Sequence, residues 1–535
     1  MNRTLLTLLA VAAAAANTSA QVNVLTANYG NDRSNANLEE IQLTPAAVAP
    51  GNFGKLGTLP VDGQVYAQPL YVSGLPIHGH GTHDVLFVAT QHNSVYAFDA
   101  DSAAQPAVLW QVNLGTSVPY TLFGPDFHDI RPEIGILSTP AIDLGRGVIY
   151  VVSMNLAAGK AVYRLHALDL SGGRERLNGP VALGATVPGN GRGGNDDNTL
   201  SFDAVWHLQR PGLLLANGAV YIACGSHADQ GPWHGWLFSY DASDLSHPFG
   251  AFSTSRDGTG ASIWQSGRGL AADDEGNIYA ITGNGDYDGR SNFAQSFLKF
   301  SGTAPLLADW YTPPNWQFLT DGDYDLAAGA ALVPGTHLLI GGDKYGQFYL
   351  VNGDSMGHLG GNGQVIQGVQ WGGIFNFAVW SRSDGAYVYV QEQGTVVKCY
   401  RIANGLFDPT PVAASIGQSG MPNGGMAISA NGVRDGILWE TTPARSNPAR
   451  PAMLHAYDAS SLAELWNSEV GGADSMSGFA KFAAPTVANG KVFVATFANA
   501  VEVYGLKRDV AAGIRTAASG VRTPTGTALR KGATL

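Results

Sequence analysis

The chain has 535 residues, of which 45% are hydrophobic and 13% charged, and glycine occurs 69 times. This apolar content excludes a disordered chain, and many glycines with few charges are typical of short strands joined by tight turns. A net charge of −12 without clustered Lys and Arg argues against a nucleic-acid-binding surface, and two cysteines exclude a disulfide scaffold.

Residues 1–20 have the pattern of a secretory signal peptide. Arg3 precedes an apolar run from Leu5 to Ala16, and Thr18-Ser19-Ala20 is a small-residue cleavage pattern. No later apolar run reaches the roughly 18 residues that a membrane-spanning helix needs. We therefore expect an exported protein, periplasmic or secreted, without a transmembrane anchor. The alternative is a signal that is retained as an anchor.

A phrase of an apolar strand, a turn and an aromatic-rich strand recurs eight times. Apolar and small or polar residues alternate within it, which indicates half-buried strands, and helical periodicity is nowhere sustained. The spacing of roughly 50 to 70 residues is typical of four-stranded blades with variable loops. The sequence predicts an all-β, eight-bladed β-propeller over residues 21–507, a single domain. The eight units begin at Val85, Val148, Ala219, Asn277, Leu338, Ala386, Gly436 and Lys491.

The two ends of the propeller are predicted to meet. The last unit ends at Leu506 without an outer strand, and residues 22–60 precede the first complete unit. We expect the N-terminal segment to supply the missing strand and close the ring, which removes exposed sheet edges. The alternative is a loosely packed N-terminal arm. Residues 508–535 contain almost no large apolar side chains, so a disordered tail is expected there.

Four stretches of the chain resemble the pyrroloquinoline quinone (PQQ) dehydrogenases. These are the segment from Ala27 to Leu56, VYAQPLYV with the unit at Val85, IWQSGRGLAADDEGNIYAITGNG from Ile263, and GGDKYGQFYLVNGDSMG from Gly341. The resemblance covers most of the chain after residue 20. It implies a propeller of the quinoprotein type, with PQQ and Ca²⁺ bound in the central funnel.

The resemblance assigns cofactor-binding roles to three residues. A planar quinone with three carboxylates requires an aromatic face, cations for its acids and a divalent ion at its reactive carbonyl. Trp264 matches the tryptophan floor of the family's pocket, Lys344 its quinone-binding cation, and Asn284 a calcium-ligating asparagine. On residue type alone, Trp264 also fits a packed core, Asn284 a hairpin turn and Lys344 a surface position.

The remaining metal ligands and the base depart from the family. Where the family has a calcium-binding Glu, this chain offers Gln230 with Asp229 beside it. Gln295 falls where the alignment requires the basic Asp, and an amide cannot take a proton from an alcohol. Glu133 and Asp286 lie in loops at similar blade positions and are the substitute catalytic candidates, although each also fits a solvated loop acid.

The sequence leaves three functions open. The first is a PQQ-dependent dehydrogenase that oxidises an alcohol or sugar, and the second is a non-catalytic propeller scaffold that binds a protein or glycan. The third, a polysaccharide lyase or hydrolase, depends on His227 and His234 near His207. These histidines could also bind a transition metal, but their spacing does not match a compact ligand pair.

Overall fold

The computed structural model describes residues 22–507 apart from 364, 371, 393, 419–423, 444–451 and 471. The predicted signal peptide (1–20) and C-terminal tail (508–535) lie outside the described residues. The described chain forms an all-β propeller of eight sheets, numbered here as blades 1 to 8, as the repeat predicted.

The blades are antiparallel sheets of four or five strands, and blades 4 and 7 each carry one additional parallel pairing. The first four blades consist of the following strands: blade 1, Asn23–Val24, Leu70–Ile77, Gly81–Ala89, Ser94–Asp99 and Val108–Asn113; blade 2, Ala141–Asp143, Val148–Ala157, Lys160–Asp169 and Val181–Ala182; blade 3, His207–Leu208, Leu214–Ala216, Ala219–Ser226, Trp236–Asp241 and Pro248–Ser253; blade 4, Ala271–Ala272, Ile278–Ile281, Phe297–Ser301, Leu306–Thr312 and His358–Leu359.

The other four blades complete the ring. They consist of the following strands: blade 5, Ala331–Leu332, Leu338–Gly342, Gln347–Asn352 and Val365–Gln370; blade 6, Ile374–Arg382, Gly385–Glu392, Val396–Ala403, Leu406–Phe407 and Ala413–Gln418; blade 7, Ala36–Asn37, Met426–Asn431, Arg434–Pro443, Ala452–Asp458 and Glu464–Asn467; blade 8, Thr486–Ala488, Lys491–Thr496, Ala500–Leu506 and Phe53–Pro60.

Few elements lie outside the blades in the described part of the chain. They are two short strand pairs, one α-helix and three 3₁₀ turns: Val118–Pro119 with Glu133–Ile134, Thr186–Pro188 with Thr199–Ser201, the helix Trp316–Asp321, and the turns Tyr120–Phe123, Gln265–Gly267 and Gly360–Gly363. No helix within the described residues is long and apolar enough to cross a membrane.

Blade packing explains why the strands are apolar on both faces. In the second strand of blade 2, Tyr150 and Val152 pack toward Trp236 of blade 3, whereas Ile149 and Val151 pack toward blade 1. Side chains alternate across a strand, so every second residue faces the other neighbour. Burial of one large apolar side chain stabilises the fold by about 1.5–3 kcal/mol. The core is therefore distributed between blades around the ring.

The N-terminal segment closes the ring, as predicted. Strand Phe53–Pro60 pairs antiparallel with Ala500–Leu506, the last strand of the chain, and so becomes the outer strand of blade 8. Main-chain hydrogen bonds thus join the two ends of the described chain. Closure of this kind leaves no blade with a missing outer strand.

Residues 23–37 lie on the propeller axis, because they contact the inner region of every blade. Arg33 is fully buried among them and donates to the carbonyl oxygens of Ala27 and Leu270 at 2.6 Å each. This central segment lies beneath the turn at Gly267, since Asn28 Oδ1 accepts from the Gly269 N–H at 3.2 Å. It therefore forms the floor under the funnel. Its blade contacts, in order from blade 1, are made with Tyr71, Ile142, Leu213, Ala272, Leu332, Val379, Ile428 and Val487.

Candidate functional site

Two contiguous cavities occupy the funnel above this floor. We call the first the carboxylate lobe; its volume is about 260 Å³ and its lining includes Asp229, Trp264, Ser266, Asp325, Ala327, Lys344 and Phe375. We call the second the aromatic lobe; its volume is about 230 Å³ and its lining includes Tyr66, Ile130, Leu137, Gly267, Phe479 and Phe497. Both are lined by Asp129, Arg210, Lys481 and Phe482, which form the boundary between them.

Trp264 is held by its own turn and by close backbone neighbours. It precedes the 3₁₀ turn Gln265–Gly267, in which Gln265 and Ser266 both have positive φ. A Cβ at Gly225 would lie 3.2 Å from the indole ring and one at Gly283 would lie 3.0 Å from it, so both positions allow the ring to approach the backbone closely. The indole N–H is buried and has no hydrogen-bond partner among the described residues.

A hydrogen-bonded network connects Asn284 and Lys344 through two aspartates. Asp323 Oδ1 accepts from Asn284 Nδ2 at 2.7 Å and from Lys344 Nζ at 3.0 Å. Asp325 accepts from the Asn284 main-chain N–H at 2.7 Å and lies 2.5 Å from Lys344 Nζ. A Cβ at Gly283 would overlap the Asp325 carboxylate, so glycine permits this approach. The structure thus brings Trp264, Asn284 and Lys344 close together on one side of the funnel.

Carboxylates outnumber cations around Lys344. Its ammonium group contacts Asp323 and Asp325 and interacts electrostatically with Asp229, whereas Arg210 and Lys481 line the lobe at its boundary together with Asp129. Loss of solvation, together with repulsion from Asp325, raises the pKa of Asp229 to about 6. Burial also raises the pKa of Asp325, although Lys344 lies beside it. An additional cation in this lobe would offset these penalties.

Gln295 stabilises the network of Asn284, Lys344 and the two aspartates from a buried position. Its side chain is fully buried, and Nε2 donates to Asn284 Oδ1 at 2.7 Å while Oε1 accepts from the Leu326 N–H at 2.9 Å. The sequence alignment placed Gln295 at the position of the base. Two carboxylates, those of Asp323 and Asp325, reach both Asn284 and Lys344, and sequence reasoning missed both. The signal was present in Asp321-Gly322-Asp323-Tyr324-Asp325, where three acids alternate from the last residue of a short helix onward.

Of the other predicted residues, Glu133 and Asp286 lie outside both lobes and Asp229 lines one of them. Glu133 bonds to His92 at 3.0 Å and to Ser117, and Asp286 Oδ2 accepts from the Thr259 N–H at 3.0 Å. Neither lines either lobe. Asp229 does line the carboxylate lobe, where Ser226 Oγ donates to it at 2.8 Å.

The Gln230 side chain forms its hydrogen bonds outside both lobes. With its amide oriented to match its neighbours, the nitrogen donates to the Phe123 carbonyl at 2.7 Å and the oxygen accepts from the Phe127 N–H at 3.1 Å. The side chain therefore tethers the loop after blade 1. Of the two residues offered in place of the family's calcium-binding Glu, Asp229 is the one that faces the cavity.

The three histidines of blade 3 are buried as neutral groups. Burial lowers the pKa of His207 and that of His227 to about 3 each. His207 Nε2 accepts from the main-chain N–H of His234 and from the indole of Trp236, both at 3.2 Å. Among the described residues, no group of three or more His, Cys, Asp or Glu side chains is placed to hold a metal ion.

Sequence comparison finds no protein family model and no curated protein that matches this chain. A solved quinohemoprotein alcohol dehydrogenase, ADHIIG from Pseudomonas putida HK5, is similar over 95% of this chain and 82% of its own, with a TM-score of 0.57 and 14% identity. A europium-containing methanol dehydrogenase covers 88% of this chain and 81% of its own, with a TM-score of 0.48 and 12% identity. BamB from Moraxella catarrhalis covers 85% and 99%, with a TM-score of 0.34 and 12% identity.

At 14% identity, the likeness to the quinohemoprotein alcohol dehydrogenase shows the fold. The chain is an eight-bladed β-propeller whose solved neighbours include quinoprotein dehydrogenases.

Proposed function

We propose that the carboxylate lobe binds a quinone cofactor of the PQQ type with a divalent cation, and that the protein oxidises an alcohol there. The observation that carries this proposal is the network of Asn284, Asp323 and Lys344, in which Lys344 lines the same lobe as the Trp264 indole and the Asp229 carboxylate. The likeness to a quinohemoprotein alcohol dehydrogenase, at the level of the fold, is consistent with it.

The residues in and around the lobe fit such a cofactor in their chemistry. Trp264 offers an aromatic surface and a buried N–H that has no partner in the described part of the chain, and Lys344 offers a cation for an acidic ring substituent. Asp229 and Asn284 offer oxygen donors of the kind that Ca²⁺ prefers. These two residues would hold the ion, and Trp264 with Lys344 would hold the quinone.

When bound, a quinone polarised by a divalent ion accepts two electrons and the hydrogen of the alcohol carbon. Residues of the chain itself take the hydroxyl proton and hold the reacting groups in position. Asp323 is the carboxylate placed to take the hydroxyl proton, and its position is set by Asn284 and Lys344. Gln295 in turn fixes Asn284 from the buried side. The floor formed by residues 23–37 keeps water from entering along the axis.

Reconstitution tests the proposal. The protein incubated with PQQ and Ca²⁺ should reduce an artificial dye when alcohols are supplied. Asp323→Asn should lower turnover by about 10² to 10⁴ while PQQ remains bound, because it removes the base and keeps the size of the side chain. Asp321→Asn is the matched control, since Asp321 bonds to Gln317 on the exposed side of the short helix. Full turnover in Asp323→Asn would contradict the role of Asp323.

Failure of PQQ to bind would contradict the cofactor assignment. The two alternatives that the sequence left open, a non-catalytic propeller scaffold and a polysaccharide lyase or hydrolase, would then remain. Export of the protein is also part of the proposal, because electron transfer from a quinone to an external acceptor suits a protein outside the cytoplasm. Mass analysis of the mature N-terminus after expression in a secreting host tests cleavage after residue 20.

A further inference from the structure

The aromatic lobe is suited to a flat apolar group. Tyr66 and Phe497 stack with their ring centroids 4.1 Å apart and form one wall. Ile130 and Leu137 are almost fully buried on another side, and Phe479 completes the lining. A sugar would leave most of its hydroxyl groups without partners against these walls, which is unfavourable. An aromatic ring can instead stack and exclude water.

The boundary between the lobes carries surplus positive charge. The guanidinium carbon of Arg210 lies 5.1 Å from the ring centre of Trp264 and 5.3 Å from that of Phe482, so the group is held between two aromatic faces. Lys481 Nζ lies 3.2 Å from Asp129 Oδ1. Two cations thus share one carboxylate, and burial lowers the pKa of Arg210 and of Lys481.

The Arg210 side chain has unused hydrogen-bonding capacity. Within the part of the chain that the structure describes, its guanidinium donates to the Trp264 carbonyl at 3.4 Å, and its Nε is buried without a partner. A guanidinium has five N–H donors and binds carboxylates through a planar fork. The boundary therefore has both the charge and the donors to bind an anion.

We propose that the boundary binds the carboxylate of an aryl 2-hydroxy acid, whose ring occupies the aromatic lobe and whose hydroxyl group faces the carboxylate lobe. The inference rests on the proposed function for the identity of the reaction. Arg210 and Lys481 line both lobes, so an acid bound to them with its ring in the aromatic lobe directs a substituent on the carbon next to its carboxylate toward the carboxylate lobe. Mandelate is the simplest compound with this arrangement.

The oxidation balances with the cofactor already proposed. The carbinol C–H and O–H bonds break and a C=O bond forms, which gives a 2-oxo acid. The two electrons and two protons that leave the substrate reduce the quinone. The carboxylate of the substrate is unchanged and remains at the boundary.

Binding of a compound that cannot be oxidised tests the subsite separately from the reaction. Phenylacetate should bind the protein in calorimetry, with or without PQQ, and neutral phenylacetamide should bind at least about tenfold more weakly. Lys481→Met should weaken phenylacetate about tenfold, and Lys160→Met, on an exposed hairpin of blade 2, should leave it unchanged. Equal binding of the acid and the amide, or no binding of either, would overturn the proposal.

A second variant tests the ring position independently of the charge. Phe497→Ala should weaken phenylacetate binding because it removes half of the aromatic stack, whereas Phe249→Ala, on the outer strand of blade 3, should not. Phenylacetate binding that is unaffected by Phe497→Ala would place the ring elsewhere and overturn the proposal.

Activity separates this inference from the proposed function. With PQQ and Ca²⁺, mandelate should be oxidised with a kcat/KM about tenfold above that of mandelamide, and Lys481→Met should abolish the preference. Brisk oxidation of simple alcohols or sugars without this preference would overturn the inference and leave the proposed function intact. Phenylacetate binding without any dye reduction would support the subsite and contradict the proposed function.

Discussion

His207 shows how a single buried residue makes the propeller sensitive to acid. Its Nδ1 bonds to the Asp203 carbonyl at 2.5 Å, and its Nε2 accepts two N–H groups, so the ring is neutral and all its polar atoms are used. Protonation of Nε2 would place a hydrogen against two donors inside blade 3. Burial is the main reason why the pKa of His207 falls to about 3, and the two donors that face Nε2 also oppose its protonation.

The folded protein should therefore lose stability as the pH falls from about 6.5 toward 3. In that range the unfolded chain binds a proton at this histidine and the folded chain does not, so the free energy of unfolding decreases with decreasing pH. His207→Gln should reduce the slope by about 1.4 kcal/mol per pH unit between pH 6 and 4. Urea denaturation at several pH values measures it. His247→Gln, whose side chain is 69% exposed, is the control, and identical slopes in both variants would refute the assignment.

At the residue level, the sequence identified residues that lie close together where a motif marked them. Trp264, Asn284 and Lys344 were predicted from their motifs and meet in the funnel. Asp323 was missed because its contact with Asn284 spans 39 positions of chain and depends on how one loop folds back between blades 4 and 5. Arg210 was missed for a similar reason, since the residues around it give no sign of the two rings that enclose it.

At the scale of elements, the strand Phe53–Pro60 couples the start of the chain to its end. It packs against the loop that follows the third long strand of blade 1, and Gly57 makes the closest approach. A Cβ at Gly57 would overlap the carbonyl oxygen of Ala103. The absence of a side chain at this position therefore sets how closely blade 8 packs on blade 1.

Gly57→Ala should destabilise the protein by about 1–3 kcal/mol, because a backbone carbonyl cannot move aside as a flexible side chain can. Gly172→Ala is a suitable control, since a Cβ at that position meets no atom within 4 Å. Chemical denaturation of the two variants gives the difference directly. Equal stability would mean that the closing strand does not pack as described.

The repeat pattern predicted the strands but not the central segment. Alternating apolar residues identify a strand whichever blade it joins, so eight units and the closing strand were predictable. Residues 23–37 form two very short strands and otherwise irregular structure, held by polar contacts to all eight blades. Such a segment has no periodicity to detect, because its bonding partners lie far away in the sequence.

At the scale of the whole molecule, the ring brings acids and cations to neighbouring parts of one funnel. Acids collect in the carboxylate lobe beside blades 3 to 5, and cations collect at the boundary with the aromatic lobe. This division explains why a cofactor with a metal ion and an anionic aromatic substrate could occupy the same funnel. No single blade could provide it, since the lining residues come from loops of most blades.

Calorimetric titration of PQQ into the protein in Ca²⁺-containing buffer tests the central claim most directly. We expect saturable binding with a dissociation constant of about 1 µM or tighter. Trp264→Ala should weaken it about tenfold through loss of the stacking surface, whereas Trp316→Ala, on the short helix outside both lobes, should not. No binding at about 1 mM PQQ, or equal affinity in Trp264→Ala, would contradict the assignment of the funnel as a quinone site.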